Sequence, residues 1–335
     1  WIIMSLNTLK NICYFTATFT LVVISVGAWV RLTDAGLGCP DWPGCYGILS
    51  TPDTEEELLK AKELYPDSTI DIGKAWREMF HRYLAGTLGI LVFFISYLTL
   101  KYAKHVPKIY PISLSILIVV QSTMGMLTVT QLVKPTIVTT HLILGMTTAG
   151  LLLWNGLQVQ LNHKNTNLDF KLINLIVICT LALILQIILG GWTSTNYASL
   201  ACTDFPKCLN QWWPANMNFS DAFTIFNLPN INYEKAPLVY EAKLAIHFTH
   251  RVGAMIITLL YAMLFIYLFY IQDNKTIKNI GLVVFAVFVF QIFLGISNVL
   301  MSLPISIAVL HTVNASILLL SMITLLFYST YHTQE

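Results

Sequence analysis

Four histidines stand in a duplicated register: His141 follows His81 by 60 residues, and His311 follows His250 by 61. Each lies near one end of a long apolar run that we predict to be a membrane-spanning helix. Histidine inside a membrane is costly and usually marks a functional site. Two imidazoles facing each other across a flat ligand suit haem iron, which takes axial imidazoles. The two pairs therefore predict two haem sites, whereas a single histidine would more simply be a hydrogen-bonded core residue.

The residues around the histidines narrow the choice of cofactor. Zinc or copper needs three or four ligands close together, and the sequence supplies no cysteine, third histidine or carboxylate cluster to complete such a sphere. A small residue one turn beyond each histidine fits either a porphyrin pressed against the helices or close helix–helix packing. These small residues are Gly86, Gly145, Gly253 and Ala315.

An arginine directly follows the first histidine of each pair. Arg82 and Arg251 are expected to pair with haem propionates at the outer membrane interface, because guanidinium groups bind carboxylates in a planar, two-bond geometry. The alternative is that both side chains extend to lipid headgroups.

The residue three positions before each His-Arg pair differs between the two sites. It is Glu78 in the first and His247 in the second, and residues at this spacing are neighbours on a helix. A carboxylate beside a redox centre is placed for proton transfer or for stabilising a cationic intermediate; an ion pair with Arg77 or Arg82 is the simpler alternative. The His-Arg match selects His250 as the ligand and leaves His247 next to the site. The difference suggests that one site does chemistry while the other stores or relays electrons.

The elements that position these residues follow from composition. The 335 residues are 56% hydrophobic and 11% charged, with a mean hydropathy of +0.68, whereas soluble proteins carry about 25% charged residues. This excludes a soluble enzyme, a disordered chain and a nucleic-acid binder, so no nucleic-acid partner is expected and lipid is. We expect the first apolar run to be an uncleaved span, because no small-residue cleavage site follows it. Eight runs reach the ~20 residues that a spanning helix needs: 12–30, 79–101, 110–130, 137–160, 172–192, 246–271, 279–300 and 305–328.

The lysines set the orientation of the eight predicted spans. Loops on the cytoplasmic side are enriched in Lys and Arg, and the short loops of the opposite side contain only Lys134. Both termini are therefore expected in the cytoplasm of a multi-pass cell-membrane protein, with the long loops 31–78 and 193–245 outside. The lysines that share the cytoplasmic side are Lys10, Lys101, Lys104, Lys108, Lys164, Lys171, Lys275 and Lys278.

Two cysteine pairs lie in the long outer loops. Cys39 and Cys45 share the first loop, and Cys202 and Cys208 share the second. An oxidising compartment favours disulfides, so each pair is expected to be a structural bridge. Because bridges closing small exposed loops are often exchange-prone, a redox role of the first pair is the alternative. The other cysteines lie within predicted spans and are expected to be small buried side chains: Cys13 and Cys179.

The chain contains an internal duplication. The segment CPDWPGC recurs as CTDFPKC at a distance of 163 residues, and the His-Arg pair recurs at 169. The motif Gln121-x-x-x-Gly125 recurs at 170, as does His141. Each copy holds four spans, and since four is even the copies cross the membrane in the same sense. We therefore predict an all-α membrane protein of two parallel four-helix bundles, residues 1–165 and 166–335, related by a pseudo-two-fold axis along the membrane normal.

With these motifs in place, the sequence resembles the haem A synthase family. The resemblance covers nearly the whole chain and rests on five segments. They are GAWVRLTDAGLGCPDWPGCYG, Glu78-Met-Phe-His81-Arg82, His141 in THLILG, His250-Arg251, and His311 in LHTVNA. The sequence departs from the family in a long charged insertion at 51–74 and in His247, which bears on the ligand of the sixth span.

The resemblance implies oxidation of the C8 methyl group of haem o to a formyl group, giving haem a for terminal oxidases. His81 and His141 would flank the substrate haem, with Glu78 as the catalytic carboxylate. The C-terminal half would hold haem b between His250 and His311. By the same resemblance, Cys39 and Cys45 would transfer electrons. A complex with the farnesyltransferase that makes haem o, and a homo-oligomer, are both left open by the sequence.

Two other classes of function use the same features. A di-haem cytochrome carrying electrons between quinol and an outer partner would use the four histidines without needing Glu78. A transporter would use the parallel repeats alone and bind no chromophore. We rank the synthase first, the carrier second and the transporter third.

Thiol trapping tests the predicted orientation. In the isolated protein we expect Cys39 and Cys45 to be oxidised, because an outer loop meets an oxidising compartment. If a membrane-impermeant reagent labels both residues freely from the cytoplasmic side, the orientation is wrong.

Overall fold

The computed structural model describes residues 5–161, 168–226 and 228–331. Within these residues, eight helices are long and apolar enough to cross a membrane, which confirms the predicted all-α membrane class. The boundary predicted between residues 165 and 166 lies outside the described residues. The α-helices are α1 (Leu6–Leu32), α2 (Glu55–Leu64), α3 (Ile72–Tyr102), α4 (Ile109–Thr130), α5 (Pro135–Gln160), α6 (Phe170–Thr195), α7 (Phe219–Ala222), α8 (Tyr240–Ile266), α9 (Lys275–Leu300) and α10 (Ile305–Thr330). A 3₁₀ turn, Tyr233–Lys235, precedes α8, and a π-helical turn, Tyr267–Ile271, continues it.

The two helices that carry the His-Arg pairs, α3 and α8, begin well before their apolar segments. Helix α3 begins at Ile72 rather than near residue 79, and α8 begins at Tyr240 rather than near residue 246. The carboxylate of Asp71 accepts the amide hydrogen of Lys74 and so caps α3 with a side chain that hydropathy ignores. Because of these extra turns, Glu78 and His247 lie inside continuous helices and are held rigidly.

The long helices contact one another in a pattern that survives exchange of the two repeats. In the first repeat, α1 and α4 each pack on α3 and on α5. In the second repeat, α6 packs on α8 and α10, and α9 packs on α10. Between the repeats, α1 meets α10, α5 meets α6, and α5 meets α10. Helix α1 corresponds to α6, and α5 corresponds to α10. If the repeats are exchanged, the contact of α1 with α10 becomes that of α6 with α5, and the contact of α5 with α10 stays the same. A two-fold relation produces this pattern.

Polar contacts near the cysteine loops join equivalent positions of the two repeats. The guanidinium of Arg31 donates to the carbonyl of Ser194 at 2.7 Å and lies 4.2 Å from the ring centre of Tyr197. The Tyr197 hydroxyl donates to Asp34 at 2.7 Å. Each hydrogen bond spans 163 residues, the offset of the duplicated cysteine motifs. These contacts therefore lie where the two repeats meet.

The second outer loop also contacts the first. The amide of Leu37 donates to the Glu234 carboxylate at 3.2 Å, and the amide of Tyr233 donates to the carbonyl of Leu132. Burial raises the pKa of Glu234, while nearby Lys74 acts in the opposite direction. The 3₁₀ turn of the second loop is thus fastened to the first repeat.

Replacing Tyr197 by Phe tests the junction between the repeats. The variant keeps the ring against Arg31 but loses the hydrogen bond to the Asp34 carboxylate. We expect the free energy of unfolding to fall by about 1.5–3 kcal/mol, the value of a hydrogen bond to a charged group. Thermal unfolding in detergent measures it, with Tyr270→Phe, at an 85% exposed position, as the control. An equal response of the two variants would contradict a junction role for the hydroxyl.

Candidate functional site

Each of the four imidazoles packs against a glycine on a neighbouring helix. A Cβ atom at Gly27 of α1 would lie 2.8 Å from Cε1 of His81, closer than real Cβ contacts come. The same atom at the other three glycines would lie 3.2–3.3 Å from Cε1 of its histidine. A larger residue at these positions would displace the ring. The pairs are Gly27 with His81, Gly125 with His141, Gly190 with His250, and Gly295 with His311.

The hydrogen bonds of the imidazoles differ between the repeats. In the described part of the chain, Nδ1 of His81 and Nδ1 of His141 are buried without a hydrogen-bond partner. Nδ1 of His250 lies 3.2 Å from the side-chain amide of Gln186, and Nδ1 of His311 lies 3.3 Å from that of Gln291. A glutamine side chain thus approaches each ring of the second pair, whereas Nδ1 of each ring in the first pair meets none that the structure describes.

One cavity of about 1790 Å³ is lined by all four histidines. Its volume exceeds the ~300–1,000 Å³ of ordinary small-molecule pockets. Most of its wall is apolar, and charged side chains reach it at the end nearest the cysteine loops. They are Glu78, Arg82 and Arg251, with Arg31 near the junction of the repeats. The structure thus brings together the histidines that the sequence predicts as two pairs.

The small residues beyond the histidines fall into two groups. Gly86 lines the cavity, and a Cβ there would meet nothing within 4 Å, so a flat ligand can lie close to α3. Gly145 and Ala315 also line the cavity. A Cβ at Gly253 would collide with the side-chain oxygen of Gln186. Close helix packing therefore accounts for Gly253.

The donor set fits haem iron. Each repeat offers two imidazoles beside an apolar cavity large enough for a porphyrin, and haem iron takes two axial ligands. Within residues 5–161, 168–226 and 228–331, no three His, Cys, Asp or Glu side chains converge as a metal site. An orphaned, buried imidazole nitrogen next to the cavity, as in His81 and His141, fits a side chain whose partner is a bound ligand.

Glu78 is anchored on two sides. Its Oε2 accepts the backbone N–H of Cys39 at 2.8 Å, and its Oε1 pairs with the guanidinium of Arg82 at 2.5 Å. The side chain is buried, yet it lines the cavity. Arg77 donates instead to the carbonyl of Gly73, so of the two ion pairs considered from the sequence, the one with Arg82 forms.

His247 repeats this arrangement in the second copy. Its Nδ1 accepts the backbone N–H of Cys202 at 3.1 Å, and its Nε2 lies 3.2 Å from Nε of Arg251. The imidazole of His247 therefore bridges its loop and its arginine, as the Glu78 carboxylate does in the first copy. His250 packs on Gly190 of α6, just as His81 packs on Gly27 of α1. His250 therefore remains the better candidate ligand of α8.

The two cysteine motifs fold alike. Cys39 is bonded to Cys45 and Cys202 to Cys208, which confirms the predicted disulfides. Inside each ring an aspartate accepts two backbone N–H groups that follow the second cysteine: Asp41 those of Tyr46 and Gly47, and Asp204 those of Leu209 and Asn210. The amide of Asn210 is the main cause that lowers the pKa of Asp204. The conserved spacing of the two motifs thus encodes a loop folded around one carboxylate.

The arginines hold these loops onto the histidine-bearing helices. Nη1 of Arg82 donates to the carbonyls of Pro43 and Gly44. The guanidinium of Arg251 donates to the carbonyls of Cys202, Asp204 and Lys207 at 2.8–3.0 Å. Sequence reasoning missed this role, because it requires contacts between residues some 40 positions apart. Binding of propionates by the same arginines stays a prediction.

These features define a polytopic membrane protein with two imidazole pairs on a shared apolar cavity. Residues 10–323 match the model of the family described as cytochrome oxidase assembly protein, and the chain belongs to that family, COX15-CtaA. The resemblance seen in the sequence is confirmed.

Curated relatives cover almost the full length of the chain. A protein of Shewanella oneidensis named Heme A synthase is 42% identical over 316 residues, 93% of this chain and 94% of its own. A Heme A synthase of Pelagibacter ubique is 28% identical over 92% of this chain and 93% of its own. One from the Wolbachia of Brugia malayi is 25% identical over 94% and 95%.

Replacing Arg82 by Lys tests whether the guanidinium holds the first cysteine loop. Arg82 reaches the two carbonyls with one nitrogen and Glu78 with the other, and lysine lacks this planar fork, so the loop should open more often. A charge-assisted hydrogen bond is worth about 1.5–3 kcal/mol, and reduction of Cys39–Cys45 by a water-soluble phosphine should accelerate about tenfold or more. Arg77→Lys, on the same helix, is the control and should leave the rate unchanged. Equal rates for Arg82→Lys and the unmodified chain would contradict this role.

Proposed function

We propose that this protein is a haem A synthase, which oxidises the C8 methyl group of haem o to a formyl group and so gives haem a for terminal oxidases. The single observation that carries the proposal is the position of Glu78. Its carboxylate lies at the wall of the cavity that His81 and His141 line, where the second repeat has an imidazole. The relatives named Heme A synthase support the same reaction.

The two halves divide the work. Residues 1–165 form the substrate half and residues 166–335 the cofactor half, in which His250 and His311 would hold haem b. Gln186 beside His250 stands at the position equivalent to Val23 in the first half. The amides of Gln186 and Gln291 fix the second pair of rings, as suits a permanent group. His81 and His141 lack such partners, as suits a substrate that must enter and leave.

The chemistry places its main demand on Glu78. Conversion of a methyl to a formyl group follows R–CH₃ + H₂O → R–CHO + 4 H⁺ + 4 e⁻, through a hydroxymethyl group and a hydrated aldehyde. Positive charge develops at the methyl carbon as electrons leave, and a fixed carboxylate next to it lowers the barrier. Arg82 and the Cys39 amide hold both oxygens of Glu78 in place. Haem b, when bound, would supply one-electron redox chemistry, and an oxidant outside the protein takes up the four electrons.

The orientation that we propose is that of a cell-membrane protein with both termini in the cytoplasm and the cysteine loops outside. The lysine distribution supports it. The charged ends of the cavity then face the outer leaflet, near the disulfides. A redox role for Cys39 and Cys45 is supported by the hydrogen bond from the Cys39 amide to Glu78, which joins the bridge directly to the proposed catalytic group.

The variant Glu78→His separates the chemistry of Glu78 from its structural role. The second repeat shows that an imidazole at this position accepts the cysteine amide and meets the arginine. We therefore expect the disulfide and bound haem to be retained, while conversion of haem o to haem a falls by about 10²–10³-fold, the usual cost of losing one electrostatic contact to a transition state. Extraction of pigments from cells supplied with haem o measures the conversion.

His247→Glu is the matched control and should still produce haem a. Normal conversion in Glu78→His would contradict the catalytic role of Glu78. If the unmodified chain keeps both haems unchanged when haem o is supplied, the di-haem electron carrier is favoured instead. Absence of a Soret band from the purified protein would favour the transporter.

A further inference from the structure

A set of polar side chains is buried in the membrane part of the first repeat, on the cytoplasmic side of the histidines. Each of these side chains is at most 2% exposed. They come from three helices that pack together, and we call them the polar column: Cys13, Thr16 and Thr20 of α1, Ser96 and Thr99 of α3, and Thr148 and Asn155 of α5.

The members of the polar column are stacked by helical spacing. Asn155 donates to the hydroxyl of Thr99 at 2.9 Å and to the sulfur of Cys13 at 3.6 Å, which forms the innermost layer. Thr16 and Ser96 are one turn from this layer, on the same helix faces as Cys13 and Thr99. The next turn brings the column to the cavity.

At its outer end the column opens on the cavity. Thr20 and Thr148 both line the cavity wall. Each is seven residues from the innermost layer, a distance of about 10 Å along a helix. The column therefore connects the cavity of His81 and His141 with the cytoplasmic side of the first repeat.

Three atoms of the column lack a hydrogen-bond partner among the described residues. They are Oγ1 of Thr16, Oγ of Ser96 and Oδ1 of Asn155, each with almost no accessible surface. Buried polar atoms are nearly always satisfied by protein or by ordered water. Sites with two to four polar groups are where buried water binds.

The second repeat has no such column at the equivalent positions. Every one of the seven is occupied by a buried side chain of the apolar core that joins α6, α8, α9 and α10. The Tyr261 hydroxyl of this core is also buried without a partner among the described residues, but its ring stacks on Phe288 at 4.4 Å among apolar neighbours. The equivalent residues are Ile176, Cys179 and Leu183, Phe265 and Leu268, and Leu318 and Leu325.

At its cytoplasmic end the column reaches a histidine. Gln158, one turn beyond Asn155, is buried, and the backbone carbonyls of Gln158 and Val159 each lie 3.2 Å from Nε2 of His105. His105 belongs to the loop between α3 and α4. The imidazole of His105 thus lies in the loop on the lysine-rich side, next to the end of α5 that carries Asn155.

We propose that the polar column holds a chain of ordered water molecules between the cavity and His105, and that protons released at the first repeat leave by this route. The water site rests on the geometry alone. The direction of proton transfer rests on the proposed function, in which the first repeat oxidises the substrate. The second repeat, whose core is apolar at the same depth, moves electrons without needing such a route.

Hydrogen exchange at the two buried thiols tests the water site. Cys13 lies in the column, and Cys179 lies at the position equivalent to Thr16 in the apolar core. The S–H stretching band of each is observed by infrared spectroscopy of the purified full chain, and assigned with Cys13→Ala and Cys179→Ala. After transfer to D₂O we expect the Cys13 band to exchange about tenfold or more faster than the Cys179 band, because a hydrated site needs no opening of the structure.

Two variants check that the column is the cause. Asn155→Leu introduces the residue of the second repeat and should slow exchange at Cys13 to the rate of Cys179. Thr16→Val, which keeps the shape of the side chain, should slow it in the same direction and serves if Asn155→Leu does not fold. Exchange at Cys13 as slow as at Cys179 in the unmodified chain would overturn the water site.

The proton route has its own readout. In Thr16→Val we expect slower conversion of haem o with a larger solvent deuterium isotope effect, while the amount of bound haem is unchanged. Unchanged turnover and isotope effect would overturn the proton route, although fast exchange at Cys13 would still support the water site. Failure of the unmodified chain to make haem a would instead contradict the proposed function and leave the exchange result standing.

Discussion

The hydrogen bond from the first cysteine of each outer loop to the helix below it is the interaction on which the rest of the site depends. The acceptor is Glu78 in the first repeat and His247 in the second, three residues before the histidine. An arginine four residues after each acceptor contacts it and also donates to the loop carbonyls. A buried amide or charge without a partner is costly. Loop, acceptor and imidazole therefore keep fixed positions relative to one another, and the outer end of the cavity keeps its shape.

Because this scaffold occurs twice, single replacements are enough to give the repeats different properties. Glu78 and His247 accept the same kind of amide but differ in charge. Val23 and Gln186 occupy equivalent places, and only the glutamine reaches an imidazole. The positions of the polar column in the first repeat are occupied by apolar core residues in the second. The two repeats therefore differ in these side chains while their helices contact one another in the same pattern.

Residue type and spacing predicted much of this. Apolar length located the eight spans, and matched intervals identified the four histidines and the two disulfides. The starts of α3 and α8 were placed too late because polar turns such as that of Asp71 continue the helix beyond the apolar segment. Of the glycines behind the imidazoles, the sequence pattern points only to Gly125 and its repeat Gly295, and only as markers of the duplication. Their role, like that of Arg82 and Arg251, depends on contacts between distant segments, which spacing within one segment does not reveal.

The junction at Arg31 distinguishes one chain of two repeats from a dimer of identical chains. In a dimer of identical four-helix chains, a residue on the two-fold axis meets its own copy. Arginine would then face arginine at this point, and aspartate would face aspartate. The fused chain instead pairs Arg31 with Ser194 and Asp34 with Tyr197. One chain with two repeats can thus carry different, complementary residues at equivalent positions on the axis, which a dimer of identical chains cannot do.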